Sequence, residues 1–295
     1  MSHSIPTRRQ LICAGALAAA ALPLTRWATA ADTAPPAPTG AAKADPWRGL
    51  KMGVASYTFH QKPLEPTIAA IHRVGLSYVS IKDMHLPLKT TAEQRKEVAK
   101  KFSDAGITAL SCGVIYLKNN EDAIRQAFEY ARDAGMPTIV ASPMAEALPL
   151  VEKYVKEFNI RVAIHNHGPE DKMPWHAPSD VWAGVEKLDE RIGLCIDVGH
   201  TSKAGADPAE AIRKYAARLY EVHFKDVANH GPKANTIECG RGVLDIRGML
   251  QALLDIKYSH GVSFEFEKDA DNPLPGLAET VGYCKGVLSD MAAKG

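Results

Sequence analysis

Four short runs, residues 161–167, 191–200, 219–226 and 261–267, each end on groups that bind metals or move protons. In each run the apolar residues sit one step out of phase with the polar ones: Val162 and Ile164 against His165, Leu194 and Ile196 against Asp197, Val222 and Phe224 against His223, Phe264 and Phe266 against Glu265. Side chains alternate across a strand, so His165, Asp197, His223 and Glu265 are expected to point to one side and share a level. Two imidazoles and two carboxylates gathered there make a donor set for one divalent metal ion. The nitrogen–oxygen mixture suits Mn, Co, Zn or Fe better than Ca, which prefers oxygen alone. His167 shares a face with His165, and depth along the strand favours His165 as the ligand.

Further chemistry-bearing residues lie just beyond these positions. His167, His200, Lys225 and Glu267 stand where groups that touch substrate or steady a ligand belong. Lys82 is in phase with Ser80 and Tyr78, and a lysine there polarises a substrate oxygen or acts as a base if its pKa is lowered. The reading therefore takes Glu267, His167, Lys82 and His200 as catalytic candidates, with His200 or Lys225 also steering a hydroxyl. His85, Lys225, Arg241 and Trp175 are taken as substrate contacts. Arg241 sits in a glycine-rich loop and would reach an anionic or polyhydroxyl ligand, and Trp175 offers a ring face to a sugar. The plain alternative for each is a hydrogen-bonded core residue or a solvated rim charge. No GxSxG elbow, P-loop or catalytic Cys–His spacing is present.

The elements that must carry these residues follow a repeating pattern. Strands are expected at 52–58, 78–82, 107–114, 138–141, 161–165, 192–197, 219–225 and 262–267. Helices are expected at 64–74, 91–105, 121–134, 145–158, 179–188, 207–217, 245–256 and 276–291. Gly75, Gly106 and Gly135 close the first three helices. Eight strand–helix units in roughly 245 residues is the count of a (β/α)8 TIM barrel. A doubly wound sheet would carry fewer strands and a GxGxxG after the first, which is missing. In a TIM barrel the four ligand candidates stand at the ends of strands five to eight, one half of the mouth where this fold places active sites.

Composition sets the outer bounds. The chain has 295 residues, 46% of them hydrophobic and 23% charged, as in an ordinary globular protein. Residues 1–30 read as a twin-arginine-type signal peptide: Arg8-Arg9, an apolar run over 11–24, then Ala28-Thr29-Ala30. Residues 31–49 read as a Pro/Ala-rich spacer and 50–295 as the barrel domain. The apolar run falls short of the ~20 residues of a spanning helix. A periplasmic or secreted protein with no stable membrane anchor is expected. Removing Arg8, Arg9 and Arg26 from the 35 basic residues leaves 32 against 34 acids. Near-neutral charge argues against nucleic acid as a partner. Cys112, Cys195, Cys239 and Cys284 are widely spaced with no CxxC, and Cys112 and Cys195 read as small apolar strand residues.

At these residues the chain resembles the xylose-isomerase-like barrel family, the sugar phosphate isomerase/epimerase group, over about residues 51–291. The resemblance rests on His165-Asn166-His167, Ile196-Asp197-Val198-Gly199-His200, Val222-His223-Phe224-Lys225-Asp226 and Phe264-Glu265-Phe266-Glu267. It implies a divalent metal at His165, Asp197, His223 and Glu265, and chemistry through a metal-stabilised enediolate of a keto or aldo sugar. Many epimerases of the family have a glutamate where this chain has His165, which puts symmetric two-base epimerisation in doubt. Lys82-Asp83-Met84-His85-Leu86-Pro87-Leu88, with an export signal, is similar to an exported subset acting on 3-keto-glycosides, in which loss of the proton beside the ketone expels the glycosidic oxygen. The expected function is a metal-dependent sugar isomerase or epimerase acting on a small sugar or glycoside. A 3-keto-glycoside lyase and a non-catalytic sugar-binding barrel are the alternatives.

Overall fold

The structure is a computed structural model that describes residues 45–294. The expected signal peptide and most of the spacer lie outside the described residues.

Eight parallel strands close into a ring. They are β1 (Lys51–Ala55), β2 (Tyr78–Ile81), β3 (Thr108–Leu117), β4 (Thr138–Pro143), β5 (Arg161–His165), β6 (Ile192–Asp197), β7 (Leu219–Phe224) and β10 (Gly261–Phe264). Between the last two lies a small antiparallel ribbon of β8 (Asp226–Val227) and β9 (Thr236–Ile237). β10 pairs with both β7 and β1, which completes the TIM barrel. Its outer layer is α1 (Leu64–Arg73), α2 (Ala92–Asp104), α3 (Glu121–Asp133), α4 (Leu148–Phe158), α5 (Pro178–Val185), α6 (Val198–Lys203), α7 (Pro208–Lys214), α8 (Ile246–Asp255) and α9 (Leu274–Ala293).

The alternation in the strands decides which way they face. Val162, Ile164, Leu194, Ile196, Val222, Phe224, Val262 and Phe264 are buried in one continuous core with the helices' apolar faces. The polar phase is thereby turned into the barrel. Local signals set the helix ends. Thr91 and Gln94 form a reciprocal capping box at the start of α2. Gly75, Gly106 and Gly135 take left-handed φ values of 70–73° just after α1, α2 and α3, which glycine adopts without a Cβ clash.

Several elements differ from the expectation. β1 stops at Ala55 and passes into a 3-10 turn, Ser56–Phe59. β3 runs on to Leu117, three residues past its expected end. α6 was not anticipated. Its six residues include Gly199, Thr201 and Ser202 and show no apolar period, and it forms because the Asp197 carboxylate caps it. Residues 45–49, read as spacer, are folded. The Asp45 carboxylate accepts from the N–H groups of Trp47 and Gly49, and the buried Trp47 ring lies 6.1 Å from Phe264. Its Ala/Pro-rich context concealed that one anchoring aromatic. All four cysteines described are buried and free. Among the described residues no helix is long and apolar enough to cross a membrane.

Candidate functional site

His165 and Asp197 close strands β5 and β6, His223 lies near the end of β7, and Glu265 follows β10. Among the described residues their donor atoms form a buried group within 4.8 Å of one another. His165 Nε2 is 3.1 Å from His223 Nδ1 and 3.5 Å from Asp197 Oδ2, and His223 Nδ1 is 3.3 Å from Glu265 Oε2. Donors about 2.0–2.2 Å from one ion stand about 3.0 Å apart in an octahedron and about 3.4 Å apart in a tetrahedron, so the set fits a divalent cation. His167 does not belong to it; its Nε2 meets the Tyr116 hydroxyl at 3.2 Å.

The carboxylate of Asp197 is aimed by its own helix cap. Oδ1 accepts from the His200 N–H at 2.8 Å, which leaves Oδ2 turned to the cluster. Asn166 Oδ1 accepts from the Asp197 N–H, its amide donates to Thr201 Oγ1, and Thr201 donates to the Asp197 carbonyl. The residue between the two histidines thus locks two barrel strands and α6 together. Asp226 does similar work at the start of β8. Its oxygens accept from the N–H groups of Val227, Gly240, Gly242 and Leu244, pinning the glycine-rich loop.

Charge in the cluster is balanced by Lys225, whose Nζ lies 3.0 Å from Asp197, 2.8 Å from Glu265 and 2.6 Å from Glu267. The Asp197 contact lacks hydrogen-bond geometry and is an ion pair alone. Burial opposes the ammonium, but the three carboxylates outweigh it and hold the Lys225 pKa well above its usual range. Burial likewise opposes ionisation of Asp197 and Glu265, and Lys225 with the neighbouring imidazoles brings both well below the carboxylate range. Burial drives His165 well below 6.5 and takes His167 down to about 4, so both are neutral at pH 7. His223 goes the other way. Burial lowers it, while Cys195 and Glu265 raise it well above the imidazole range. Burial pushes the Cys195 thiol up to about 11, so it is uncharged at pH 7 and the Glu265 carboxylate is the effective cause. A bound cation would displace the His223 proton, since a ligating imidazole must be neutral.

A cavity of about 330 Å³ opens over the cluster, lined by Tyr57, Lys82, His167, His200 and Glu267 together with His165 and Glu265. The structure thus brings most of the expected residues together. Three it does not. Arg241 pairs with Glu279 of α9 on the outer surface, because Asp226 fixes the backbone on either side of it. His85 is buried, its ring shared among Ser56, Thr67 and the Lys62 carbonyl. Trp175 is a core residue whose Nε1 donates to the Pro143 carbonyl. Conversely, Tyr57 and Tyr116 flank the mouth and were not foreseen. Tyr57 lies in the 3-10 turn that replaces the expected end of β1, and Tyr116 in the unexpected extension of β3.

Residues 68–286 match the family model described as "Xylose isomerase-like TIM barrel". No curated protein matches the chain. Among solved structures, the IOLI protein with a bound zinc atom superposes with a TM-score of 0.69 at 17% identity, over 82% of this chain and 99% of that one. An L-ribulose 3-epimerase gives 0.68 at 17% identity, over 83% and 96%. A 3-keto-D-glucoside 4-epimerase from E. coli gives 0.66 at 15% identity, over 80% and 99%. At such identities the likeness is one of fold. The family model itself spans the barrel from α1 into α9, and the chain belongs to the xylose isomerase-like TIM barrel family.

Proposed function

We propose that the protein is a sugar-converting enzyme, by reaction type an isomerase or epimerase, that removes a proton beside a carbonyl at a divalent cation held by His165, Asp197, His223 and Glu265. The observation that carries this reading is the buried four-donor cluster opening into a cavity lined by Glu267, His167, Lys82 and His200. The similarity to sugar epimerases and to a zinc-bound barrel supports it. A cation at that position supplies Lewis acidity toward a substrate carbonyl and its neighbouring hydroxyl.

The chain's own groups supply the proton traffic. Glu267 is partly exposed and ion-paired with Lys225, so its carboxylate faces the cavity with one oxygen fixed. It takes the proton from the carbon beside the carbonyl; the C–H pair becomes a C=C bond and the C=O π pair moves onto the oxygen. His167, neutral at pH 7 and hydrogen-bonded to Tyr116, is free to act as a base: it takes the proton of the neighbouring hydroxyl and passes it to the carbonyl oxygen. Return of the Glu267 proton to the former carbonyl carbon isomerises the sugar; delivery of the proton held by His167 to the opposite face of the original carbon, with Glu267 reprotonating the hydroxyl oxygen, epimerises it. His200 and Lys82 orient hydroxyls from the rim.

Elimination is a second reading, favoured by one feature. His165 stands where a second carboxylate base would serve a symmetric epimerase. With a keto-glycoside, Glu267 takes the proton beside the ketone and the C–H pair becomes a C=C bond. The C–O pair leaves with the glycosidic oxygen, which takes a proton from Lys82. Export by the twin-arginine route belongs to the same proposal, and a periplasmic chain beginning at Ala31 would support it, whereas an uncleaved cytoplasmic chain would oppose it.

The deciding experiment is elemental analysis of the protein beside Asp197→Ala and His223→Ala, with deuterium uptake from D2O into keto sugars. About one transition-metal ion per chain, lost in both variants, with uptake lost alongside it, is expected. Full turnover in either variant, or no metal after reconstitution with Mn, Co or Zn, would sink the reading. Sugar binding without deuterium uptake would leave a non-catalytic barrel.

A further inference from the structure

A second cavity of about 560 Å³ adjoins the one over the cluster, and His200 and Glu267 line both. The two side chains therefore form a sill between two lobes. Each lobe falls within the about 300–1,000 Å³ typical of small-molecule sites, and together they exceed what a single sugar ring fills. The wall of the second lobe is built by the β8–β9 ribbon and the loop that joins its strands. Val227, Ala234 and Ile237 present apolar surface there, and Asn235, Thr236 and Lys203 present hydrogen-bonding groups. The lobe is not an accident of a loose loop, since Asp226 ties the ribbon's first strand to residues 240–244 through three backbone N–H groups.

We infer that the second lobe is a subsite for a second, glycosidically linked ring. This rests on the reaction reading above and specifies its substrate as a glycoside of at least two rings. The first ring lies over the cluster and the inter-ring oxygen lies at the sill, beside Glu267. The chemistry of the walls favours a polyhydroxylated ring over an aromatic one. Aromatic groups are usually met by aromatic walls, and among the described residues no Phe, Tyr or Trp lines this lobe. Small apolar patches interleaved with amide, hydroxyl and ammonium groups match a sugar's C–H faces and hydroxyls. Glu267 is fixed by Lys225, itself a lining residue of the second lobe, so the same ion pair that positions the proposed base also defines where the second ring begins.

The test compares the metal-loaded enzyme on methyl 3-keto-glucoside and on 3-keto-maltose, in the wild type and in Asn235→Trp and Ala228→Trp. Both positions are exposed in the ribbon's loop, so either bulky side chain fills the lobe without disturbing the core. The two-ring substrate should have a kcat/KM higher by about tenfold or more, and both variants should collapse that ratio toward one. A ratio near one in the wild type, or a high ratio untouched by both variants, overturns the subsite while leaving the reaction reading intact. If neither sugar is converted, the keto-glycoside reading of the reaction falls and calorimetry decides the subsite. Tighter binding of 3-keto-maltose that both variants abolish supports it, and equal binding overturns it.

Discussion

Replacing Lys225 by Met removes one charge from the middle of the site and little else. The methionine keeps the aliphatic stem, which matters because Lys225 Cγ and Cδ lie against Gly199 of α6, where even an added Cβ would approach within 2.8–3.0 Å. What is lost is an ammonium 2.6–3.0 Å from three carboxylates, two of them buried. Removing one partner of a buried ion pair costs about 3–5 kcal/mol, because the remaining charges have neither solvent nor counter-ion. For a domain of this size each kcal/mol is worth about 2–4 °C, so the chelator-treated variant should melt about 6–20 °C below the chelator-treated wild type. A divalent cation restores positive charge at Asp197 and Glu265, and a ligand that binds only the folded state adds its binding energy to stability. Saturation with Mn or Zn should therefore raise the variant's melting temperature more than the wild type's and close most of the gap. The pH dependence has a fixed sign. Asp197 and Glu265 are held below 3.8 and 4.5 with Lys225 first among the favourable causes, so the wild type gains stability above those values. The variant loses that gain, so its deficit should hold from pH 7 to about 4.5 and shrink as pH falls below about 4. Differential scanning fluorimetry with and without metal, from pH 7 to 3, reads all three effects. A deficit that is the same with and without metal would refute the idea that Lys225 and a cation answer the same charges.

Two further changes test residues that the structure removes from the reaction. His85 is buried, and its network assigns the neutral tautomer with Nε2 donating to the Lys62 carbonyl and Nδ1 accepting from Ser56. Burial lowers its pKa below 6.5, so the unfolded chain takes up a proton before the folded one does, and stability falls as pH drops below about 6.5. His85→Gln should flatten that decline between pH 6.5 and 5 in urea melts, and an unchanged slope would show that other groups set it. Arg241→Ala deletes an ion pair with Glu279 that is exposed on both sides and screened by solvent, so stability should hardly change. It should leave KM for any sugar substrate unaltered, and a rise of about tenfold would mean that Arg241 reaches the substrate after all.

The sequence is most informative where the backbone is regular. In a strand, alternation states which face a side chain takes, and the polar phase of β5, β6, β7 and β10 was readable for that reason. In loops no such rule applies, and direction is set by contacts made elsewhere in the chain. His85 is turned inward by Ser56 and Thr67, 29 and 18 residues away, Trp175 by the Pro143 carbonyl, and Arg241 by the backbone bonds of Asp226. Tyr57 and Tyr116 were hidden by misplaced strand ends, the least legible feature of a barrel strand, because its last residues are no longer patterned by the helices outside.

Alternation alone, moreover, does not bring the four donors together at one level. In register, His165 stands opposite Cys195, two residues before Asp197, and Ser263 stands opposite His223, two residues before Glu265. The donors climb along the strands as they go round the barrel, and they converge because barrel strands tilt by about 35–45° to the axis, so that a cross-section cuts neighbouring strands at staggered residues. One step needs more than tilt. Continuing the pairing of Leu194 with Leu219 would set Asp197 opposite Val222, which faces the helices. A bulge after Leu194 adds one residue to β7, and Asp197 comes to stand opposite His223 instead. A one-residue slip reverses every side chain's face, so this bulge turns two correctly patterned strands into one donor set. Gly193 permits the close approach beside it, since a Cβ there would lie 2.1 Å from the Arg218 carbonyl oxygen. Neither the bulge nor the tilt leaves a mark in the hydrophobic pattern, because both are properties of strand pairing, and pairing appears only once the ring has closed.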